Sequence, residues 1–563
     1  MSRKRRALLA SVLTVAPLAL ISQAEAATYY VAPTGNNNNA GTLDAPFATM
    51  ARGQQAAVAG DTVYLRGGSY EFSSNSEANG VSLNKSGSSG KPITYAAYEA
   101  EVPVFDFSGM TAAQRITGIR VTASWVHLKG IELKLVPQNL TDQNESWGVY
   151  NDGGDNNVYE TLNLHHNMGP GFFLGSGKDN LILNCDSHHN YDPKSKAGDG
   201  ENADGFGCHP KAGDTGNVFR GVRAWWNTDD GYDSINALES CAVEGSWAWL
   251  NGYLPDTMKE PNRNPDIPPG NGNGFKLGGF GINGDGSPAN PPVHTIRNSV
   301  AFLNVFGGFF ANYHTGGNAY YNNTGFKNGA DFNMLGLNMK NTSLLRNNLA
   351  LGPSPTANMN GTDSKNNSWD LAVKVNDADF ISTSTVGVDG PRQPDGSLPN
   401  IPFMRLAMGS DVIDKGVDVG KPFLGTAPDL GAYELSDQVF PPGGGSGNGG
   451  SAGASGSGGN GGLGGSATSG SNSGGGNSGG TSSAGTASSG SSNGGSVAAA
   501  GTPGAVGGAT NSVDAPTDVP PEGQTGCSCR STGGRSPAGM AALVLLFGVL
   551  LRRRSGPGST RRT

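Results

Sequence analysis

Between about residues 27 and 440, short apolar runs alternate with Asn, Gly and Asp, and the apolar residues do not recur at the three- to four-residue spacing of amphipathic helices. Two bulky residues followed by Asn recur instead, as at 225–227 and 302–304. Successive asparagines of this kind are 23, 37, 24, 53 and 24 residues apart. Such a repeat indicates stacked units, each burying its apolar face against the next. The asparagines are Asn167, Asn190, Asn227, Asn251, Asn304 and Asn328.

A Gly-aromatic pair follows each of the first five asparagines, and Asp331-Phe332 takes its place after the sixth. Two repeats are longer, by eleven and nineteen residues, and both insertions enter at the same corner. Aromatic and β-branched residues with Asn and Gly turns at this period predict an all-β fold, a single-stranded parallel β-helix with coils about 4.8 Å apart. A β-sandwich would need polar hairpin turns every ~8 to 12 residues, which the sequence lacks.

The recurrent asparagine is expected to form a ladder within a tight turn, because Asn tolerates left-handed backbone and its amide can bond to the next coil. A second column of asparagines lies six residues before the first in three repeats. Its members are Asn184, Asn298 and Asn322.

Alignment of the repeats on the Gly-aromatic pair places acidic residues in shared columns. Asp204 and Asp230 directly precede the glycine, with Asp229 beside them, and Asp233 directly follows the aromatic residue. Four carboxylates this close repel unless a cation holds them, and an oxygen-only set suits Ca²⁺ better than zinc. The alternative is a solvated acidic turn, because Asp and Gly are common turn residues.

Lys276 falls in the column of Asp233, one coil further along the chain. A carboxylate alone would raise the pKa of this amine, whereas a nearby Ca²⁺ and partial desolvation would lower it. Lys276 is therefore a candidate general base. The alternative is a structural ion pair with Asp233.

Three stretches carry a family resemblance: 202–206 (NADGF), 227–233 (NTDDGYD) and 272–277 (GNGFKL). The region from about Thr28 to Glu434 resembles the family-nine polysaccharide lyases, pectate lyases with a right-handed parallel β-helix. The resemblance implies that Asp204, Asp229, Asp230 and Asp233 bind calcium and that Lys276 is the catalytic base.

The predicted function is a secreted, calcium-dependent pectate lyase that cleaves polygalacturonate, an acidic plant polysaccharide, by β-elimination. Lys211, Arg220 and Arg223 are candidates for binding substrate carboxylates. Two alternatives stay open. One is a β-helix hydrolase of the polygalacturonase type, which uses clustered Asp residues with water and needs neither lysine nor metal. The other is a non-catalytic glycan-binding β-helix at the cell surface.

The two ends of the chain differ from the middle. Residues 1–26 read as a secretory signal peptide, with a basic start, an apolar stretch and the small-x-small site at 24–26. Residues 441–526 read as a disordered Gly/Ser-rich linker. Residues 527–563 combine cysteines, a short apolar run and an Arg cluster, and resemble a myxobacterial-type C-terminal sorting tail. We therefore expect a secreted or cell-surface monomer, with possible envelope anchoring through the tail.

Charge and the remaining polar residues narrow the prediction. A net charge of -8 argues against a nucleic-acid-binding surface.

The domain holds three cysteines, and the sequence leaves open whether they are buried thiols or form one disulfide. Two His-His pairs fill the columns used elsewhere by bulky residues, so stacked packing is preferred over a metal site. The cysteines are Cys185, Cys208 and Cys241, and the histidines His165, His166, His188 and His189.

Overall fold

The computed structural model describes residues 25–141, 146–194, 200–260, 272–281, 286–335 and 341–435. The predicted signal peptide lies outside the described residues except for its last two, and the predicted linker and sorting tail lie wholly outside them. No helix among the described residues is long and apolar enough to cross a bilayer.

Almost all regular secondary structure of the described residues consists of short strands. One α-helix, α1 (Met50–Ala56), begins at Thr49, whose hydroxyl accepts the Arg52 N–H, and one 3₁₀ helix spans Asp377–Asp379. The strands are β1 (Thr28–Val31), β2 (Thr62–Leu65), β3 (Gly68–Ser74), β4 (Asn79–Leu83), β5 (Ile93–Ala97), β6 (Pro103–Met110), β7 (Thr117–Val121), β8 (Val126–Lys129), β9 (Glu132–Lys134), β10 (Trp147–Asp152), β11 (Val158–Glu160), β12 (Asn163–His165), β13 (Phe172–Ser176), β14 (Leu181–Leu183), β15 (Asp186–His188), β16 (Phe206–Cys208), β17 (Asn217–Arg220), β18 (Arg223–Trp225), β19 (Tyr232–Asp233), β20 (Cys241–Glu244), β21 (Trp247–Trp249), β22 (Phe275–Lys276), β23 (Thr295–Arg297), β24 (Val300–Phe302), β25 (Gly307–Phe310), β26 (Ala319–Tyr321), β27 (Thr324–Phe326), β28 (Ala330–Asn333), β29 (Ser343–Arg346), β30 (Leu349–Leu351), β31 (Thr356–Ala357) and β32 (Thr362–Lys365).

These strands form three parallel sheets, to which successive coils contribute in turn. Sheet 1 has twelve strands in the order β1-β2-β5-β8-β11-β14-β17-β20-β23-β26-β29-β32. Sheet 2 has ten, in the order β3-β6-β9-β12-β15-β18-β21-β24-β27-β30. Sheet 3 has ten, in the order β4-β7-β10-β13-β16-β19-β22-β25-β28-β31. The predicted parallel β-helix is confirmed, and both insertions fall between a sheet 2 strand and the next sheet 3 strand.

The aromatic residue of each Gly-aromatic pair points into the coil. These side chains form one inward column of sheet 3, and each is almost fully buried, so each contributes about 1.5–3 kcal/mol to the hydrophobic stabilisation. Neighbouring rings lie 5.4 Å apart for Phe275 and Phe309 and 4.7 Å apart for Phe309 and Phe332. The column contains Phe172, Phe206, Tyr232, Phe275, Phe309 and Phe332.

The asparagine ladder forms as predicted. The side-chain amide of Asn190 donates to Asn227 Oδ1 at 2.8 Å, and the same bond repeats from Asn227 to Asn251 at 3.0 Å. The ladder also explains why a glycine precedes each inward aromatic residue. A Cβ on Gly231 would lie 2.7 Å from Nδ2 of Asn251, so no larger residue fits there.

The predicted left-handed backbone is present in this turn, but not at the first-column asparagine. In the first column the left-handed residue is the bulky residue before the asparagine, such as Trp226 at φ 54° and Leu250 at φ 54°. In the second column the asparagine itself is left-handed, as at Asn184 with φ 54°. The first-column asparagines are thus selected for their amide bonds, because the next coil needs both a donor and an acceptor at that point.

The outer face of sheet 2 carries a stack of flat side chains. The rings of Trp225 and Trp249 lie 4.8 Å apart and within 4° of parallel, and His188 stacks on Trp225 at 4.1 Å. Residues 380–435 return across this face, where Phe403 packs against Phe302. The predicted stacked packing of the histidine pairs is confirmed.

The cysteines resolve into one disulfide and one thiol. Cys208 on sheet 3 is bonded to Cys241 on sheet 1, and Cys185 is a buried free thiol. The disulfide joins two sheets inside the β-helix, and it links the coil of Asp204 to the coil of Asp233.

Candidate active site

The acidic columns meet on sheet 3, over three consecutive coils. Strands β16, β19 and β22 pair in register, so that Gly207, Asp233 and Lys276 occupy one outward row. Asp204 and Asp230 lie just before β16 and β19, and the Asp230 N–H donates to Asp204 Oδ1 at 3.0 Å. The predicted alignment of Asp204 with Asp230 and of Asp233 with Lys276 is therefore present.

Three carboxylates converge at this place. One oxygen each of Asp204, Asp230 and Asp233 lies within 4.8 Å of the others, and the three residues are 4, 0 and 5% exposed. Such a set of buried oxygen donors of one charge fits a hard divalent cation such as Ca²⁺. We call these three residues the acidic cluster.

Lys276 closes one side of the acidic cluster. Its Nζ lies 2.9 Å from Asp230 Oδ2 and 3.2 Å from Asp233 Oδ2, and the residue is 1% exposed. The ion pair with Asp233, which was the alternative considered for Lys276, is present, and Asp230 shares the amine. The amine is thus held in a fixed place beside any cation that the cluster binds.

The orientation of Asp230 is set by the two residues that precede Gly274. Its Oδ1 accepts hydrogen bonds from the backbone N–H groups of Gly272 and Asn273 and from the Asn273 side-chain amide, at 3.2, 2.8 and 2.8 Å. These donors leave Oδ2 directed at Lys276. The residues that lead into β22 therefore position a carboxylate as well as the amine.

Burial and mutual repulsion oppose full ionisation of the acidic cluster. Burial, and after it the charges of Asp229, Asp233 and Asp230, hold the pKa of Asp204 well above its usual range. Burial also raises the pKa of Asp230, with Asp233 adding to the effect and Lys276 opposing it. A divalent cation would offset both causes by neutralising the ionised oxygens.

Asp229 takes a different position from the other three acids. Its Oδ2 accepts the Asn202 N–H at 2.7 Å, and the residue is 2% exposed. It lies outside the three-residue group within 4.8 Å but adds negative charge next to Asp204. Of the four predicted metal ligands, the structure brings three together and places the fourth beside them.

Two of the three predicted substrate residues lie elsewhere. Arg223 is 3% exposed on sheet 2, where it pairs with Asp186 at 2.6 Å and donates to the Val388 carbonyl at 2.9 Å. Arg220 is on sheet 1, paired with Glu244 at 2.8 Å. The expectation for both is corrected. Arg220 and Arg223 belong to β17 and β18, and these strands lie on sheets 1 and 2, whereas the acidic cluster lies on sheet 3. Lys211 is exposed and lies three residues after β16.

Sequence reasoning missed His209. Its Nδ1 lies 2.7 Å from the Ile235 carbonyl, so Nδ1 donates and Nε2 keeps a lone pair. A Cβ on Gly207 would lie 2.9 Å from this Nε2, which places the ring over the outward row, one coil from Asp233. Burial lowers the pKa of His209, and Asp233 opposes the shift. The register of Gly207 with Asp233 was the signal that could have revealed it.

Aromatic side chains continue the outward row beyond His209. Phe173 stacks on His209 at 4.6 Å, and Trp147 lies 5.4 Å from Phe173 and 4.4 Å from Tyr150. All four are part-exposed on sheet 3. We call Trp147, Tyr150, Phe173 and His209 the aromatic row.

Comparison with known proteins identifies the family of this chain. Residues 29–348 match the family described as Pel9A-like, right-handed β-helix region. Pectate lyase L of Dickeya chrysanthemi is 37% identical over 415 residues, which cover 72% of this chain and 90% of the relative. The chain belongs to the Pel9A-like family. Pectate lyase PEL9 of Emericella nidulans is 33% identical to this Pel9A-like chain over 422 residues, 70% of this chain and 96% of the relative.

Two solved structures resemble this Pel9A-like chain. A rhamnogalacturonan lyase superposes with a TM-score of 0.62 at 38% identity, covering 68% of this chain and 96% of that one. Pectate lyase Pel9A superposes with a TM-score of 0.61 at 35% identity, covering 72% and 96%. The prediction of a polysaccharide lyase with a right-handed parallel β-helix is confirmed at the level of the family.

Proposed function

We propose that the protein is a secreted, calcium-dependent pectate lyase that cleaves polygalacturonate by β-elimination. The observation that carries the proposal is the contact of Lys276 with Asp230 and Asp233, inside a cluster of three buried carboxylates. The relatives named pectate lyase support the choice of substrate.

Asp204, Asp230 and Asp233 would hold the calcium ion, with Asp229 supporting them. Bound there, calcium would supply positive charge to the substrate carboxylate and so make the neighbouring C5 proton more acidic. The buried carboxylates need such a partner, since burial and mutual repulsion hold the pKa values of Asp204 and Asp230 above their usual range.

Lys276 acts as the general base. Its neutral amine takes the C5 proton of a galacturonate, and the C5–H electron pair becomes the C4–C5 double bond. The bond from C4 to O4 breaks as this double bond forms, and the leaving oxygen takes a proton from water. Because only unprotonated lysine accepts the proton, activity should be highest at alkaline pH.

The aromatic row and Lys211 extend the site for a polymer. Part-exposed rings in line with the acidic cluster offer flat apolar faces to successive sugars. Lys211 would pair with a uronate carboxylate.

Rhamnogalacturonan is a second candidate substrate. The solved rhamnogalacturonan lyase is 38% identical to this chain, a likeness similar to that of the pectate lyases. The hydrolase alternative has less support, because the buried amine between Asp230 and Asp233 has no place in a two-carboxylate hydrolysis.

Secretion and anchoring are also part of the proposal. The signal sequence at 1–26 and the Cys208–Cys241 disulfide both suit an oxidising compartment outside the cytosol. The tail at 527–563 would then hold the β-helix, a monomer, at the cell envelope through the linker.

Product analysis tests the proposal. The purified protein is incubated with polygalacturonate or with rhamnogalacturonan, with calcium or with a chelator, and ultraviolet absorbance of unsaturated sugar is followed. Calcium-dependent absorbance on polygalacturonate is expected. Absorbance on rhamnogalacturonan alone would favour the second candidate, and new reducing ends without absorbance would favour a hydrolase.

A further inference from the structure

The outward row of sheet 3 differs on the two sides of Lys276. In one direction it continues with Phe310 and Asn333, which are uncharged and 4 and 5% exposed. In the other direction it passes the acidic cluster and reaches the part-exposed aromatic row, and then the part-exposed Arg120. A polymer bound at Lys276 therefore meets accessible rings and a cation on one side of the site.

Arg120 lies on β7, in the same outward row as Lys276. Strand pairing connects the two residues in register from one coil to the next. Four strand spacings of ~4.8 Å place Arg120 about 19 Å from Asp233, and a fifth separates Asp233 from Lys276. The residues between Arg120 and Lys276 in this row are Tyr150, Phe173, Gly207 and Asp233.

Asp152 holds one edge of the Arg120 guanidinium. Nε of Arg120 donates to Asp152 Oδ2 at 3.0 Å, and Nη2 donates to the same oxygen. The Tyr150 hydroxyl donates to the other oxygen, Oδ1, at 3.1 Å. The Arg120 side chain is 42% exposed, and its Nη1 makes no hydrogen bond to any of the described residues. The cation is thus oriented while part of its donor set stays available to a ligand.

A second arginine lies at the same end of the aromatic row. Cζ of Arg115 is 4.5 Å from the centre of the Trp147 ring, which itself lies 4.4 Å from the ring of Tyr150. Rings offer contact to the apolar face of a sugar, and a guanidinium forms charge-assisted hydrogen bonds with a carboxylate. This combination suits a sugar unit that carries a carboxylate.

We propose that Arg120 is a specificity-determining residue that binds the carboxylate of a uronate several sugar units away from the cleaved bond. This inference rests on the proposed pectate lyase function. A sugar unit of a 1,4-linked chain is about as long as the spacing between coils, so only a long chain reaches both Lys276 and Arg120. A methyl ester removes the charge that Arg120 binds. The protein therefore prefers long, unesterified chains to short or esterified ones.

Kinetics on substrates of two lengths test the proposal. Values of kcat/KM are measured at saturating calcium on polygalacturonate and on trigalacturonate, which is too short to reach from Lys276 to Arg120. Arg120→Gln should lower kcat/KM on polygalacturonate about tenfold, the usual contribution of one hydrogen bond between charged groups, and leave that on the trimer unchanged. Arg120→Lys, which keeps the charge, should lose less.

The matched control is Arg297→Gln, which alters a similarly exposed arginine paired with Glu244 on sheet 1 and should equal the wild type on both substrates. An unchanged kcat/KM of Arg120→Gln on polygalacturonate would overturn the proposal. An equal loss on both substrates would also overturn it, because the substitution would then act through the fold or through the reacting centre.

Binding measurements separate this inference from the lyase proposal. Isothermal titration calorimetry is carried out in a Lys276→Ala background, so that chains are not cleaved, with and without Arg120→Gln. Long oligogalacturonates should bind about tenfold more weakly without the arginine, and fully methyl-esterified chains should bind equally to both proteins. If the wild type released no unsaturated product, the lyase proposal would fail, and this difference would still support Arg120. Equal binding of long unesterified chains to both proteins would overturn the inference whatever the turnover.

Discussion

Lys276 and Asp230 are in direct contact in the interior of the site, with Nζ 2.9 Å from Oδ2 and exposures of 1 and 0%. An ion pair so buried gains from its mutual attraction but loses the hydration of both groups. The role of this ion pair is to position the Lys276 amine at the border of a cation site. The same contact means that the amine and a cation compete for one carboxylate.

Calcium binding should depend on each member of the acidic cluster. Asp204→Asn removes one ligand charge, and we expect calcium affinity to fall at least about tenfold. The measurement is isothermal titration calorimetry, together with the calcium-induced rise in Tm. Asp363→Asn, which alters a part-exposed acid paired with Arg346, is the control and should leave the affinity unchanged. Equal affinities in both variants would remove Asp204 from the site.

Asp331 should make stability depend on pH. Burial raises its pKa from 3.8 to about 7, while hydrogen bonds from Asn328 at the end of the asparagine ladder oppose the shift. Because the folded-state pKa is the higher one, folding takes up a proton between pH 4 and 7. The cost of ionising Asp331 is therefore absent at low pH, grows through this window and is complete above pH 7, at about 4 kcal/mol.

Asp331→Asn isolates this effect. The free energy of unfolding of the wild type, relative to that of the variant, should fall by a few kcal/mol between pH 5 and pH 9. Urea unfolding at constant, saturating calcium measures this difference. The pH-dependent contribution of the acidic cluster is the same in both proteins and cancels in the comparison. A difference that does not change with pH would mean that Asp331 is already ionised at pH 5.

The aromatic row should contribute to substrate binding more than to the chemical step. Phe173→Ala should raise KM several-fold with little change in kcat, because the ring lies away from Lys276 but in line with it. Initial rates on polygalacturonate measure this. Tyr64→Ala, a similar loss on sheet 1, should change neither constant. A variant with lower kcat and unchanged KM would place Phe173 in the chemical step instead.

Arg223 should be a stability residue. Its guanidinium bonds Asp186 and the Val388 and Gly390 carbonyls, so it attaches the returning segment to sheet 2. Arg223→Ala leaves the buried Asp186 with fewer partners, and we expect a loss of about 3–5 kcal/mol in unfolding free energy. Residual folded enzyme should keep the KM of the wild type. A raised KM at unchanged stability would return Arg223 to the substrate site.

The columns of the site were predictable because each repeat carries its own marker. Gly231-Tyr232 and Gly274-Phe275 fix the register. Only glycine fits under the asparagine ladder, and the next position requires a large apolar ring that points inward. Asp233 and Lys276 follow these markers directly. Local sequence therefore determined which acids and which amine would meet.

What the sequence did not predict depends on contacts between distant segments. The carbonyl partners of Arg223 are those of Val388 and Gly390, which lie 165 and 167 residues further along the chain, in a segment without repeats. The Cys208–Cys241 bond depends on where two sheets face each other across the interior. Spacing along the chain carries neither relationship, so Arg223 was assigned to substrate and the disulfide stayed open.

The most direct test of the central claim compares wild type with Lys276→Ala for both turnover and calcium affinity. Release of unsaturated product should fall about 10²- to 10⁴-fold, the usual contribution of a general base. Calcium affinity should stay equal or increase, because the competing ammonium is gone. Lys178→Ala, an exposed lysine, should match the wild type in both. If Lys276→Ala kept its turnover with calcium bound, this lysine would not be the base and the account of the site would be wrong.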